Sequence, residues 1–193
     1  MKSIHFVVLF FISSLSYGQR YAEQHKKCSE VLKDVAIGSD VFWEKLKTRD
    51  NCLVGLETPS FEVTTLKNEK LRNTNLRGKV VVLNFWFTRC APCIEEMPFL
   101  NKVVAKHKND EVVFLSIANE DAAQLKKFLE TTKFDFKVVP DGGRILMDTF
   151  KLFSAWPTTI IIDREGKIRF INQGGLTKSN SNFEKVLKQA LKR

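Results

Sequence analysis

The alternation of apolar and polar positions changes character several times along the chain. From Val80 to Phe87 every residue is apolar except Asn84. So short a run, with Gly78 before it and a Pro-containing turn after it, predicts a strand buried on both faces. Past Cys93 the apolar residues Ile94, Met97, Leu100, Val103 and Val104 recur at helical spacing, which predicts a helix to about His107 that Pro98 should kink. Upstream, residues 21–49 read as two helices. Val31, Leu32 and Val35 form an apolar face on the first; Ser39-Asp40 caps a second carrying Phe42, Trp43 and Leu46. Phe61, Val63 and Thr65 alternate as an edge strand before a turn at Asn68-Glu69. Downstream the pattern predicts a strand over Glu111–Ala118, a helix capped by Asp121, and a short strand over Phe136–Val139. A helix over Ile145–Phe153 follows, then a hairpin of Thr158–Ile162 with Lys167–Ile171 and a closing helix over Asn182–Lys192 with Phe183, Val186, Leu187 and Leu191 inward. Strands alternating with helices and ending in a hairpin and a helix predict an α/β sandwich.

Cys90-Ala91-Pro92-Cys93 falls where the buried strand ends and the helix begins. Unpaired N–H groups and a partial positive charge at a helix N-terminus favour thiolate over thiol, so a Cys-x-x-Cys there predicts a redox site. Half of a zinc site is the alternative, but zinc takes four ligands; no second Cys-x-x-Cys exists, and His25 and His107 stand apart. No metal and no cofactor is expected. A purely structural staple is the other alternative, and a strand–helix junction is a poor place for one.

GKVVVLNFW, the CAPC pair and EEMP just beyond it, with WPTTIIID over Trp156–Asp163, resemble the exported TlpA/ResA-like thiol-disulfide oxidoreductases of the thioredoxin-like superfamily. The likeness covers about residues 56–193 and implies a thioredoxin-like three-layer sandwich with a helical N-terminal extension. The resemblance implies a nucleophilic Cys90 on an exposed lip and a more buried Cys93 that resolves the mixed disulfide. It also implies that Glu96 is a carboxylate near the pair able to take the Cys93 proton, with Glu95 a solvated first-turn acid. Pro157 should be cis, placing the Trp156 backbone where a substrate chain pairs as an added strand, with Thr158 beside it. Trp156 is either substrate-facing or core. Arg89 departs from the family, which usually has Trp there. A cation at that position lowers the Cys90 pKa if it faces the sulfur and does nothing if it points to solvent. Trp86 and Phe85 are expected as an apolar wall behind the pair. In direction, the resemblance implies a reductant of protein disulfides, apocytochrome c among them, recharged by a membrane electron donor.

Four cysteines in an oxidising compartment allow three pairings. The CAPC pair closes on itself and leaves Cys28 and Cys52 for each other, as a structural disulfide or as a second exchange-active pair. Closing that loop would contribute about 3.5 kcal/mol in the chain-entropy model.

Residues 1–18 carry one charged side chain, Lys2, then an apolar run from Ile4 to Leu15 and small residues at Ser16 and Gly18. The run is short for a membrane span and has a signal peptide's anatomy, with no Cys near the cut for a lipid. The expectation is therefore export, to the periplasm of a bacterium, with a mature chain of a 19–55 extension and a 56–193 domain. Without the leader, 30 Lys and Arg stand against 22 Asp and Glu, a net +8. These cations are scattered and not interleaved with aromatics, which argues against nucleic acid and fits a solvated surface near an anionic membrane face. Two rivals share the fold. A thiol peroxidase of the peroxiredoxin kind needs a Pro and a Thr ahead of its cysteine, but Leu83 holds the Pro place and Thr88 lies two residues before Cys90. A redox-silent binding module would not need the intact pair.

Overall fold

The computed structural model describes residues 19–177 and 182–192, so the expected leader lies outside the described residues. Helix α1 covers residues 19–29 and passes into a 3-10 turn at Glu30–Leu32. Helix α2, Asp40–Leu53, starts where the Ser39 hydroxyl accepts the Phe42 N–H, as the capping pattern predicts. Next come β1 (Glu62–Thr64) and β2 (Lys70–Arg72), then β3 (Val80–Trp86), α3 (Ala91–Lys106), β4 (Val112–Ala118), α4 (Ala122–Leu129) and β5 (Lys137–Val139). A π-helical turn at Ile145–Thr149 leads to β6 (Thr158–Ile162), β7 (Ile168–Gln173) and α5 (Phe183–Leu191).

Five strands form one sheet in the order β5-β4-β3-β6-β7, with β3, β4 and β5 parallel and β6 and β7 antiparallel to their neighbours. Strand β3 is central and buried at all seven positions, as its near-continuous apolar run predicts, with Asn84 the one polar residue among them. Its side chains alternate between two cores. Val80, Val82 and Trp86 join the cysteines, Leu125 of α4 and Phe183 of α5 on one face. Val81, Leu83 and Phe85 join Tyr21, Leu53, the β1–β2 hairpin and Phe150 on the other. The result is the expected three-layer thioredoxin-like sandwich, with the N-terminal helices in one outer layer.

Several expectations need correction. Val31, Leu32 and Val35 are at best half-buried, because the helix tightens at Glu30 and the chain turns through a left-handed Asp34 (φ 59°); Tyr21 and Cys28 make the inward face instead. Trp43 lies outward, 46% exposed, while its helix neighbours Phe42 and Leu46 are buried. Phe61–Thr65 does not edge the main sheet: β1 pairs with β2 alone in a two-stranded sheet, tied to β5 by the Leu66 N–H to Val138 carbonyl bond (2.8 Å). The expected 145–153 helix is shorter and wider, with the Phe150 N–H reaching the Ile145 carbonyl. Strand β7 runs two residues past Ile171, to Gln173. Phe85 faces the opposite core from the cysteines and is no wall behind them; Trp86 is.

Candidate active site

Strand β3 aims the chain at the start of α3, and Cys90 is the N-cap residue of that helix. Its Sγ accepts the Cys93 N–H at 3.3 Å, so the sulfur sits where helix N–H groups converge. Cys90 and Cys93 are joined as a disulfide. Cys93 is 1% exposed and Cys90 only 4%, so the expected exposed lip is covered in this oxidised form. The bond turns the Cys90 side chain in toward the first turn of α3, and Phe87 and Trp156 pack on the cluster that holds both sulfurs. Those two rings meet edge to face at 6.0 Å.

Pro157 reaches this place through sheet pairing. Strand β6 runs antiparallel to β3 with Thr158 opposite Phe85, so the start of β6 lies at the end of β3 from which the cysteines project. The Trp156–Pro157 bond is cis. Trp156 is half-buried, its indole N–H on the Ser154 hydroxyl (2.9 Å), which places it partly in the core and partly at the rim. Thr158 is fully buried, and its hydroxyl donates to the Ala155 carbonyl, closing the turn. Arg89 is exposed and makes no ion pair among the described residues.

Beneath the disulfide the buried stripe of α3 is Cys93, Glu96, Met97, Leu100 and Val103. The stripe follows helical spacing but includes a carboxylate and leaves Ile94 half-buried. Glu96 is 3% exposed. Its Oε1 accepts the Asn84 amide N–H at 2.7 Å and its Oε2 accepts the Leu176 backbone N–H at 2.6 Å. Burial drives its pKa from 4.5 up to about 7, and the two hydrogen bonds pull the other way without winning. A carboxyl one helical turn from Cys93 that titrates near neutrality can take or return a proton there.

Asn84 was the polar exception in the β3 run, and that exception was the available signal for a role. Its amide bridges Glu96 to the Thr159 hydroxyl (3.0 Å), tying α3, β3 and β6 under the sulfurs. Glu120 gave no signal, being one surface acid among many. Its Oε1 accepts both the backbone N–H (2.7 Å) and the hydroxyl (2.6 Å) of Thr88, fixing the turn that precedes Cys90. Cys28 and Cys52 are also joined, with Cα atoms 5.7 Å apart, but in the extension on the far face from the CAPC pair. No cluster of three potential metal ligands occurs among the described residues.

Residues 54–171 match the AhpC/TSA family. The chain is similar to the thiol-disulfide oxidoreductase ResA of Bacillus anthracis, at 33% identity over 134 residues that span 69% of this chain and 77% of that protein. Against ResA of Geobacillus kaustophilus the identity is 32% over 146 residues, 75% of this chain and 83% of the relative. Among solved structures it resembles a thiol:disulfide interchange protein of the thioredoxin family from Chlorobium tepidum, with a TM-score of 0.61 at 26% identity, covering 71% of this chain and 97% of the other.

Proposed function

Because the chain belongs to the AhpC/TSA family of thioredoxin-like proteins and is a thiol-disulfide oxidoreductase, we propose that it is an exported reductant of protein disulfides. In the reduced form the Cys90 thiolate attacks a substrate disulfide and displaces one substrate sulfur as thiolate. Cys93 then gives its proton to the Glu96 carboxylate and attacks Cys90 Sγ, releasing the second substrate sulfur and closing the Cys90–Cys93 disulfide. Two electrons pass from the dithiol to the substrate. Arg89, Trp156 and Pro157 form the face that receives the substrate chain, with pairing along the Trp156 backbone; Thr158, expected beside them, is fully buried and closes the turn behind that face.

The observation that carries the direction is the buried Glu96. A carboxylate under the pair, with Trp86 as an apolar wall, opposes negative charge on sulfur and so destabilises the reduced thiolate form. A less stabilised thiolate means a more reducing couple. Exposed Arg89 and the helix N-terminus act in the opposite sense. A tenfold change in the exchange constant is about 30 mV, so shifts of this size leave the couple on the reducing side. Equilibration against glutathione buffers should give a potential below about −200 mV, where thioredoxin lies near −270 and DsbA near −120. A value close to −120 would make the protein an oxidase of exported thiols instead.

The substrate class that fits is an oxidised pair in an exported polypeptide, such as the Cys-x-x-Cys-His haem-attachment site of an apocytochrome c, with a membrane electron donor restoring the dithiol. The apolar leader supports export, and the net positive charge suits work close to an anionic membrane face. No described helix is long and apolar enough to cross a membrane. The peroxidase reading loses its polarising threonine, since the Thr88 hydroxyl is engaged by Glu120. Insulin reduction against peroxide consumption separates the two.

A further inference from the structure

The N-terminal helices lie on the far face of the sheet from the cysteines, yet their polar and aromatic side chains converge on one segment. That segment is 150–158, which runs from the end of the π-helical turn through Trp156 into β6. The Tyr21 hydroxyl donates to the Phe150 carbonyl at 2.6 Å in a buried contact between residues 129 positions apart. His25, four residues on in α1, lines the same surface hollow as Lys151. Lys151 has φ 53°, a left-handed conformation that a long side chain adopts at a cost and that neighbouring contacts must maintain. From α2, the Phe42 ring meets Phe153 edge to face at 5.1 Å, and Trp43 meets the same ring at 6.3 Å.

The same helix reaches the segment's other end through β7. Asp50 Oδ2 accepts the Gln173 amide N–H at 2.9 Å, Gln173 stands opposite Thr158 in the sheet, and the next N–H, of Gly174, donates to the Pro157 carbonyl at 2.8 Å. Asp50 is itself fixed by the buried Arg49 guanidinium at 2.7 Å. The Cys28–Cys52 disulfide ties the end of α1 to the end of α2, so the two helices hold 150–158 as a unit.

We propose that the disulfide-joined helices α1 and α2 are a positioning element for the substrate face. Tyr21, Phe42 and Asp50 hold the 150–158 segment so that the Trp156 backbone is presented beside Cys90 in the form a polypeptide substrate pairs with. This rests on the reading of the CAPC pair as the exchange site and extends it: the extension governs how well a protein disulfide is bound. It leaves the intrinsic reactivity of Cys90 alone. A small disulfide that needs no strand pairing is indifferent to it.

Tyr21→Phe carries the test, because it deletes one hydroxyl and keeps the ring. It leaves the Phe150 carbonyl buried without its donor, which should loosen the segment and raise KM for insulin about three- to tenfold. The kcat for insulin, and the rate with the small disulfide 5,5′-dithiobis(2-nitrobenzoate), should stay within about twofold. The C28S/C52S double variant, taken at a temperature where circular dichroism shows it folded, should reproduce the same split. An unchanged insulin KM in folded Tyr21→Phe overturns the proposal. So does an equal fall with insulin and the small disulfide, which would mean a merely structural role. A wild-type protein inactive toward both substrates would instead sink the CAPC reading on which the proposal stands.

Discussion

Replacing Glu96 by Gln tests the chemistry under the disulfide, because the structure shows how the new side chain can be satisfied. The Leu176 N–H is fixed in the backbone, so the carbonyl oxygen of the introduced glutamine must take it. The new amide N–H₂ then faces Asn84, which can turn its own amide over and accept from both that group and the Thr159 hydroxyl. Shape and hydrogen bonds survive, and only the ionisation is lost. In the wild type the carboxyl has a folded pKa of about 7 against 4.5 when free. Below 4.5 it is protonated in both states and contributes nothing to the pH dependence. Between 4.5 and 7 the unfolded chain gives up the proton while the folded chain keeps it, so stability falls as pH rises and levels off above 7. The difference amounts to about 3 kcal/mol. Asp50, also raised by burial, adds a slope of the same sign, but it is present in both proteins and cancels. Wild type and Glu96→Gln should therefore match in stability near pH 4, and the variant should be more stable at pH 8–9 by up to about 3 kcal/mol. For a chain of this size that is a Tm gain of about 6–12 °C. Guanidinium and thermal unfolding of the oxidised proteins from pH 4 to 9 measure it. The same substitution should slow resolution of a mixed disulfide by about a hundredfold and remove the inflection near pH 7 from its rate profile. Stability curves that stay parallel across the pH range would refute a neutral-pH carboxyl, and an unchanged rate profile would refute its role as the base.

Cys90→Ser should abolish disulfide reduction and Cys93→Ser should accumulate substrate adducts on Cys90; peptide mapping that found the trapped partner on Cys93 would reverse the two roles. Arg89→Trp should raise the Cys90 pKa and make the couple more reducing, read by thiolate absorbance and glutathione equilibration; no change in either would place Arg89 in solvent without influence. Asn84→Ala removes the donor to Glu96 Oε1 and to Thr159, and should cost about 1–3 kcal/mol while pushing the Glu96 pKa still higher; a lower Glu96 titration point by NMR would contradict that account.

The central strand, the start of α3, the Asp121 and Ser39 caps, the hairpin of β6 and β7 and the closing helix could all be read in the sequence. Each is fixed by local rules: a near-continuous apolar run, a capping side chain, a glycine at a turn. The cysteine pair announced itself because its chemistry depends on a strand–helix junction, which is a local feature of the chain, and the cis proline came from resemblance. Tertiary structure decided what lies between distant parts of the chain. Antiparallel pairing of β6 with β3 brings residue 157 to residue 90. The β3 alternation sends Trp86 toward the sulfurs and Phe85 away from them, which a strand apolar on both faces does not encode. Burial of Glu96 raises its pKa, and burial depends on α3, Asn84 and the Leu176 turn meeting at one point. The apolar face of Val31, Leu32 and Val35 is only half covered, and Trp43 lies outward, for the same reason. An apolar pattern shows that a surface can be covered, but which residues are covered depends on what packs against them. Here Tyr21 and Cys28 win that place, because the sheet and Phe150 offer them a partner that the sequence near them does not contain.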